Sequence, residues 1–229
     1  EVVKEDGEMA RVPDLEVLCE EHGFKMCSVE QIIEYRLARE SLVKRIEPAC
    51  GTPIETPYGT FNLIAYNSAI DAVPHLALTV GGVGDLDEYG SATLIEEPTL
   101  VRVHRRNLLG DIFDANDHPS GKELRASLRM IAEAGSGALV YLRPEQYGDE
   151  FIDRLQKIQR PDADINIPDL TVAEQPMDKR DYGTGVQIIR DLGLKKLNLL
   201  TNHPKHLTAL HGFGIDITEQ IPIDANSDR

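Results

Sequence analysis

The sequence predicts an α/β (α+β) fold, a mixed sheet with flanking helices. Three observations predict it. Segments 61–68 (FNLIAYNS), 75–82 (HLALTVGG) and 98–104 (PTLVRVH) alternate or run apolar, as half-buried and buried strands do. Residues 121–135 (GKELRASLRMIAEAG) carry Leu124, Leu128 and Ile131 at helical spacing and stop at Gly135. From about residue 124 onward, helical and strand-like segments alternate.

The elements follow in order. Residues 1–13 (EVVKEDGEMARVP) predict a short strand, a turn at Glu-Asp-Gly and an Arg-Val-Pro helix entry. Residues 13–24 predict a helix with Leu15, Val17 and Leu18 on its apolar side and Gly23 as its stop. A second helix is predicted over 28–46, because Ser28 and Gln31 have the spacing of a capping box. Residues 47–61 (EPACGTPIETPYGTF) hold three prolines and two glycines and read as a break, with a domain boundary near 46–52. The acidic, Gly-rich segment 81–93 reads as a loop. After the helix at 121–135 come a buried strand (GALVYLRPE), a helix (EFIDRLQKIQ) and the polar stretch 161–176. A helix (TGVQIIRDLGL), a strand and turn (KLNLLTNHPK), a short helix (HLTALHGFG) and a last strand (IDITEQIPI) complete the chain.

The 229 residues carry a net charge of −15. An acidic surface repels phosphate backbones, which argues against nucleic acid as a partner. The local basic cluster Arg102, His104, Arg105 and Arg106 leaves room for a small phosphorylated ligand. The three cysteines (Cys19, Cys27, Cys50) form no CxxC pair, which fits free thiols in a reducing, cytoplasmic setting. No apolar run reaches the roughly 18 residues a bilayer span needs, so no membrane association is expected. The chain opens on Glu1, as a piece of a longer protein would.

Three stretches hold residues of catalytic type. In 102–124 (RVHRRNLLGDIFDANDHPSGKEL), His104 and His118 flank Gly110-Asp111, with Asp114 and Asp117 between. His and Asp at such spacing can ligate a metal, and the same residues also make ordinary surface loops. In MDKRDYGTG, Asp178 and Arg180 lie two apart before a helix. A carboxylate there can activate water and an arginine can grip phosphate, or the pair can simply cap the helix. In TNHPKH, Thr201 and Lys205 follow an apolar strand, the place where α/β folds bind ligands.

Together the stretches TPYGTFNLIAY, LVRVH, GD, GKEL, YLRPE and DKRDYGTGVQIIRDLGLKKLNLLTNHPKH resemble GTP cyclohydrolase II, in the order that family shows. The resemblance spans residues 52–223, and the domain it implies runs 47–229. Residues 1–46, through EDGEMARVPDL and IEYR, resemble the C-terminal end of 3,4-dihydroxy-2-butanone 4-phosphate synthase. The two enzymes occur fused in this order in riboflavin biosynthesis. A fused synthase domain and a homodimer are therefore the implied partners.

The resemblance also assigns site residues. Asp178 and Arg180 match the family's proton acceptor and nucleophile. Arg102, His104, Glu145, Thr201 and Lys205 match nucleotide-binding positions, and Tyr141 and Arg143 are kept. The family's zinc loop reads R-V-H-S-E-C-L-T-G-D and then C-D-C-G-x-Q-L. Aligned without gaps, Asn107, His118 and Ser120 stand at its three cysteines. Arg106 replaces its Glu, Glu123 its base-reading Gln, Tyr147 a phosphate-binding Arg and His206 a Lys. Asn and Ser are poor zinc ligands, and one His does not replace three thiolates. The expectation is a domain with no zinc cofactor and no GTP ring opening that supports the synthase. The alternatives are a metal site rebuilt from His104, Asp117 and His118, or a nucleotide sensor without turnover.

Overall fold

The computed structural model describes residues 2–4, 7–28, 31–32, 35, 39–69, 71–116, 119–143, 179–204 and 214–224. It forms two compact units, Glu1–Arg39 and Glu40–Arg229.

In the first unit, Val3 and Met9 form an antiparallel bridge. Helix α1 (Val12–His22) follows, with Pro13 in its first turn, where a missing N–H costs nothing. The Arg11 N–H donates to the Asp14 carboxylate at 2.8 Å. Gly23, at φ 66°, ends the helix in the left-handed region. The capping box read at Ser28 is present. Ser28 N donates to Gln31 Oε1 at 2.9 Å, and Gln31 N donates to Ser28 Oγ at 3.1 Å.

The second unit is built on an eight-stranded mixed sheet. Its strands are β1 (Val43–Arg45), β2 (Thr52–Thr56), β3 (Gly59–Ser68), β4 (His75–Val80), β5 (Thr99–Arg105), β6 (Gly137–Leu142), β7 (Lys196–Leu200) and β8 (Asp216–Ile221). The spatial order is β1-β3-β4-β6-β5-β7-β8, with β2 paired to β3. The β1, β2, β3, β4 and β6 pairings are antiparallel, whereas β5 pairs in parallel with β6 and β7, and β7 with β8.

Three segments differ from the sequence reading. The helix expected to run to Ile46 gives way to β1, whose Val43, Lys44 and Arg45 pair with Ser68, Asn67 and Tyr66. Burial of Val43 against the sheet outweighs the helical pattern there. The segment read as a break holds a hairpin in which Thr56 pairs with Gly59 and Pro57-Tyr58 make the turn. Between β5 and β6 lie two helices, α2 (Leu108–Phe113) and α3 (Ser120–Ala134); the first was expected to be loop. Helix α4 (Lys179–Asp191) lies on the stretch read as TGVQIIRDLGL; it starts five residues before Thr184 and stops before Leu192-Gly193-Leu194. The helix expected at 150–159 and most of that at 206–214 lie outside the described residues. No helix among the described residues is long and apolar enough to cross a membrane.

Strand alternation divides the core into two layers, one on each face of the sheet. One face gathers Ile64, Tyr66, Ala77, Val101, Ala138, Val140 and Leu142 under Val186, Ile188 and Ile189 of α4. The opposite face gathers Phe61, Leu139 and Leu200 under Ala126 and Ile131 of α3. A polar tie fastens β1 to the end of α4. Arg45 Nε donates to Asp191 Oδ2 at 2.6 Å, and Arg45 Nη1 donates to the carbonyls of Ala49 and Gly84. Tyr66 OH donates to the same Asp191 oxygen at 2.8 Å. Burial first, and then the Asp191 charge, hold the Tyr66 phenol well above its ordinary range.

Gly193 turns the chain from α4 toward β7 at φ 80°, and a Cβ there would stand 2.2 Å from the Thr93 carbonyl oxygen. Gly135 also has positive φ, 70°, but a Cβ there would meet nothing within 4 Å. Gly193→Ala is expected to cost roughly 2–3 kcal/mol and Gly135→Ala about 1 kcal/mol. Urea melts of the two variants check this, and equal losses would contradict the packing argument.

Candidate functional site

The parallel strands β6, β5, β7 and β8 end on the same side of the sheet. The chain places β6 on one flank of β5 and then crosses to place β7 on the other. α3 and α4 cover opposite faces. Such a reversal opens a crevice at the carboxyl ends of the strands, where α/β folds hold ligands. Arg102 and His104 share the α3 side of β5 with Leu100, and Val101 and Val103 face α4.

The centre of the crevice is a carboxylate. Asp111, 8% exposed, receives four donors, two on each oxygen. His104 Nε2 lies 2.9 Å from Oδ1, and the Ser120 hydroxyl donates to Oδ1 at 2.6 Å. The Asn107 N–H donates to Oδ2 at 2.9 Å and Tyr141 OH donates to it at 2.7 Å. The His104 ring stacks on Tyr141, its neighbour in the β5–β6 register, at 5.5 Å and 12°. His104 Nδ1 is buried and has no hydrogen-bond partner among the described residues. Burial works to raise the Asp111 pKa. The hydrogen bond and charge of His104, then Ser120 and the Asn107 N–H, outweigh it and leave the carboxyl below its usual range.

Local structure brings these groups together. Asn107 caps α2, its Oδ1 accepting from Gly110 N at 3.2 Å, and α2 carries Asp111 one turn on. Asp114 ends α2 at φ 49° and accepts from Arg125 of α3 at 2.7 Å. Gly121 lets α3 approach α2, since a Cβ there would stand 2.6 Å from the Gly110 carbonyl oxygen.

A second cluster lies beside the first. Arg102 Nη1 donates to the Leu200 carbonyl at 3.0 Å, and Nη2 donates to Glu123 Oε2 at 3.0 Å. Burial lowers the Arg102 pKa, and the Glu123 charge and hydrogen bond oppose it without cancelling it. Asn202 Nδ2 donates to Glu123 Oε1 at 3.0 Å, and Asn202 Oδ1 accepts from Ile223 N at 2.8 Å. Thr201, at the end of β7, accepts from His203 N through Oγ1 at 3.1 Å. Arg143 is tied toward the β3–β4 connection, its Nη1 donating to the Pro74 carbonyl and its N–H to His75 Nδ1.

The structure therefore brings together Arg102, His104, Asn107, Ser120 and Glu123, with Thr201 next to Asn202. Arg180 lies in the first turn of α4. Asp117, His118, Glu145, Asp178 and Lys205 lie outside the described residues. The sequence reading noted Asp111 without giving it a role, and it passed over Asn202. The four-residue step from Asn107 to Asp111, one helical turn, was the available sign of the first.

Asn107 and Ser120, which the resemblance sets at two cysteines of the zinc loop, do not fit zinc. The Asn107 side-chain oxygen is held by Gly110 N, and the neutral Ser120 hydroxyl donates to Asp111. Neither offers the thiolate that a cysteine site uses. Among the described residues, no three His, Cys, Asp or Glu side chains cluster as metal ligands.

The fold and site define a class: a mixed α/β domain whose parallel strands end at a site built on a buried carboxylate. The family model for GTP cyclohydrolase II matches residues 47–222, and the chain belongs to that family. It is 38% identical, over 99% of its length, to the riboflavin biosynthesis protein RibBA of Cytophaga hutchinsonii, and covers 53% of that protein. RibBA of Bacillus subtilis is 37% identical over 97% of the chain, which covers 53% of it. The chain thus spans about half the length of the curated relatives it matches. A solved structure of RibBX from A. baumannii, described as a two-domain 3,4-dihydroxy-2-butanone 4-phosphate synthase, aligns with a TM-score of 0.60 and 28% identity. It matches 96% of this chain and 52% of the RibBX chain.

Asp111→Asn replaces a buried charge that four donors surround. It is expected to lower stability at pH 7 by about 3 kcal/mol. Because the folded pKa is depressed, the contribution is present above the ordinary value of 3.8 and is lost as pH falls below it. The gap between wild-type and variant melting temperatures should close below that pH. A gap that is constant with pH would show that the charge is not what stabilises.

Proposed function

We propose that this domain binds no zinc, does not open the GTP ring, and supports a 3,4-dihydroxy-2-butanone 4-phosphate synthase domain in riboflavin biosynthesis. One observation carries the reading. Asn107 and Ser120, which the resemblance sets at zinc-cysteine positions, are both spent on hydrogen bonds: the Asn107 side chain accepts from Gly110 N to cap α2, and the Ser120 hydroxyl donates to Asp111. His104 turns Nε2 to Asp111, and its buried Nδ1 has no hydrogen-bond partner among the described residues. Without those thiolates the described residues supply no cluster of three His, Cys, Asp or Glu side chains to hold zinc and activate a water on it.

The synthase context draws on the relatives. The matched proteins are named for riboflavin biosynthesis, and RibBX is described as a two-domain synthase. We place the support in a cytoplasmic homodimer of the fused protein, where a rigid sheet domain holds the synthase in its working geometry. Cys19, Cys27 and Cys50 are free, in keeping with a reducing compartment.

The test is formate release from GTP by the purified protein, with and without added zinc, alongside its metal content. No formate in either condition and no stoichiometric zinc are expected. Zinc-dependent formate release would overturn the reading.

A further inference from the structure

We propose that Glu123 is an internal anion that holds the guanidinium of Arg102 and so keeps phosphate-bearing ligands out of the crevice at the carboxyl ends of β5 and β7. Arg102 is a largely buried cation of that crevice, its side chain 14% exposed. Its fork is turned inward, Nη1 to the Leu200 carbonyl and Nη2 to Glu123, both at 3.0 Å. Its Nε is buried and has no hydrogen-bond partner among the described residues.

Glu123 is fixed from two sides. It stands in the first turn of α3, and Asn202, itself anchored by Ile223 N, holds its second oxygen. A carboxylate so placed competes with an incoming phosphate at a very high effective concentration. The two charges also cancel, which leaves the crevice without the net positive charge that draws a polyanion into an acidic protein. Glutamine at 123 keeps the shape and one acceptor for Arg102 but removes the negative charge. The guanidinium is then an unneutralised, partly unpaired donor set of the kind that binds phosphate.

The inference goes beyond the reading above, which gives the crevice no ligand. It does not depend on the loss of metal. The test compares binding of inorganic triphosphate and of GTP, by titration calorimetry and thermal shift, to wild type, Glu123→Gln, and Arg102→Gln combined with Glu123→Gln. Glu123→Gln is expected to bind triphosphate at least about tenfold more tightly than wild type, and the gain should vanish in the double variant. Should the glutamine variant lose its cooperative melt, Glu123→Met serves the same comparison. A folded variant at 123 that binds no more tightly than wild type would overturn the proposal, as would a gain that survives loss of Arg102. Zinc-dependent formate release by wild type would require GTP in the crevice and would overturn both readings, whereas a folded variant at 123 that binds no more tightly overturns this one alone.

Discussion

Everything at the open end of the sheet depends on one buried carboxylate. Asp111 has four donors from four places: β5 through His104, the α2 cap through the Asn107 N–H, the start of α3 through Ser120, and β6 through Tyr141. Leaving such a charge unpaired in the interior costs several kcal/mol, so any arrangement that drops these donors is disfavoured together. Satisfying it fixes the angle at which α2 leaves β5 and the depth at which α3 begins. That depth in turn requires Gly121, because the Gly110 carbonyl oxygen fills the space a side chain would take. The position of α3 then sets where Glu123 meets Arg102.

Most of the sheet was legible in the sequence because alternation is a local property. Segments 61–68, 75–82 and 98–104 became β3, β4 and β5 with small shifts at their ends. Helix α3 was legible for the same reason, since Leu124, Leu128 and Ile131 line one face of it. What was hidden depends on partners far along the chain. Strand β1 exists because Ser68, Asn67 and Tyr66 pair with it, and nothing in Val-Lys-Arg announces that. The hairpin at 52–60 was masked by its own Pro and Gly, which punctuate a turn as readily as a break. Helix α2 has only six residues, and a side-chain cap and a buried tether hold it, not helical periodicity.

The site was legible as a set of residue types and not as a set of commitments. Arg102, His104, Asn107, Ser120 and Glu123 could be picked out from the order of motifs. That Arg102 answers Glu123, and that Asn202 answers the same carboxylate from the end of β7, follows only once β5 and β7 are neighbours. The family comparison supplies the frame, and the hydrogen bonds show how this member has filled it.

The Asn107 cap and the Ser120 hydroxyl carry a consequence for how such a loop can change over time. A thiol at 107 would uncap α2, and a thiol at 120 would replace a short hydroxyl donor to Asp111 with a weak, longer one. A cysteine at either position therefore weakens the fold before any metal is present to compensate. Stability alone favours an amide at 107 and a hydroxyl at 120, whatever the crevice binds.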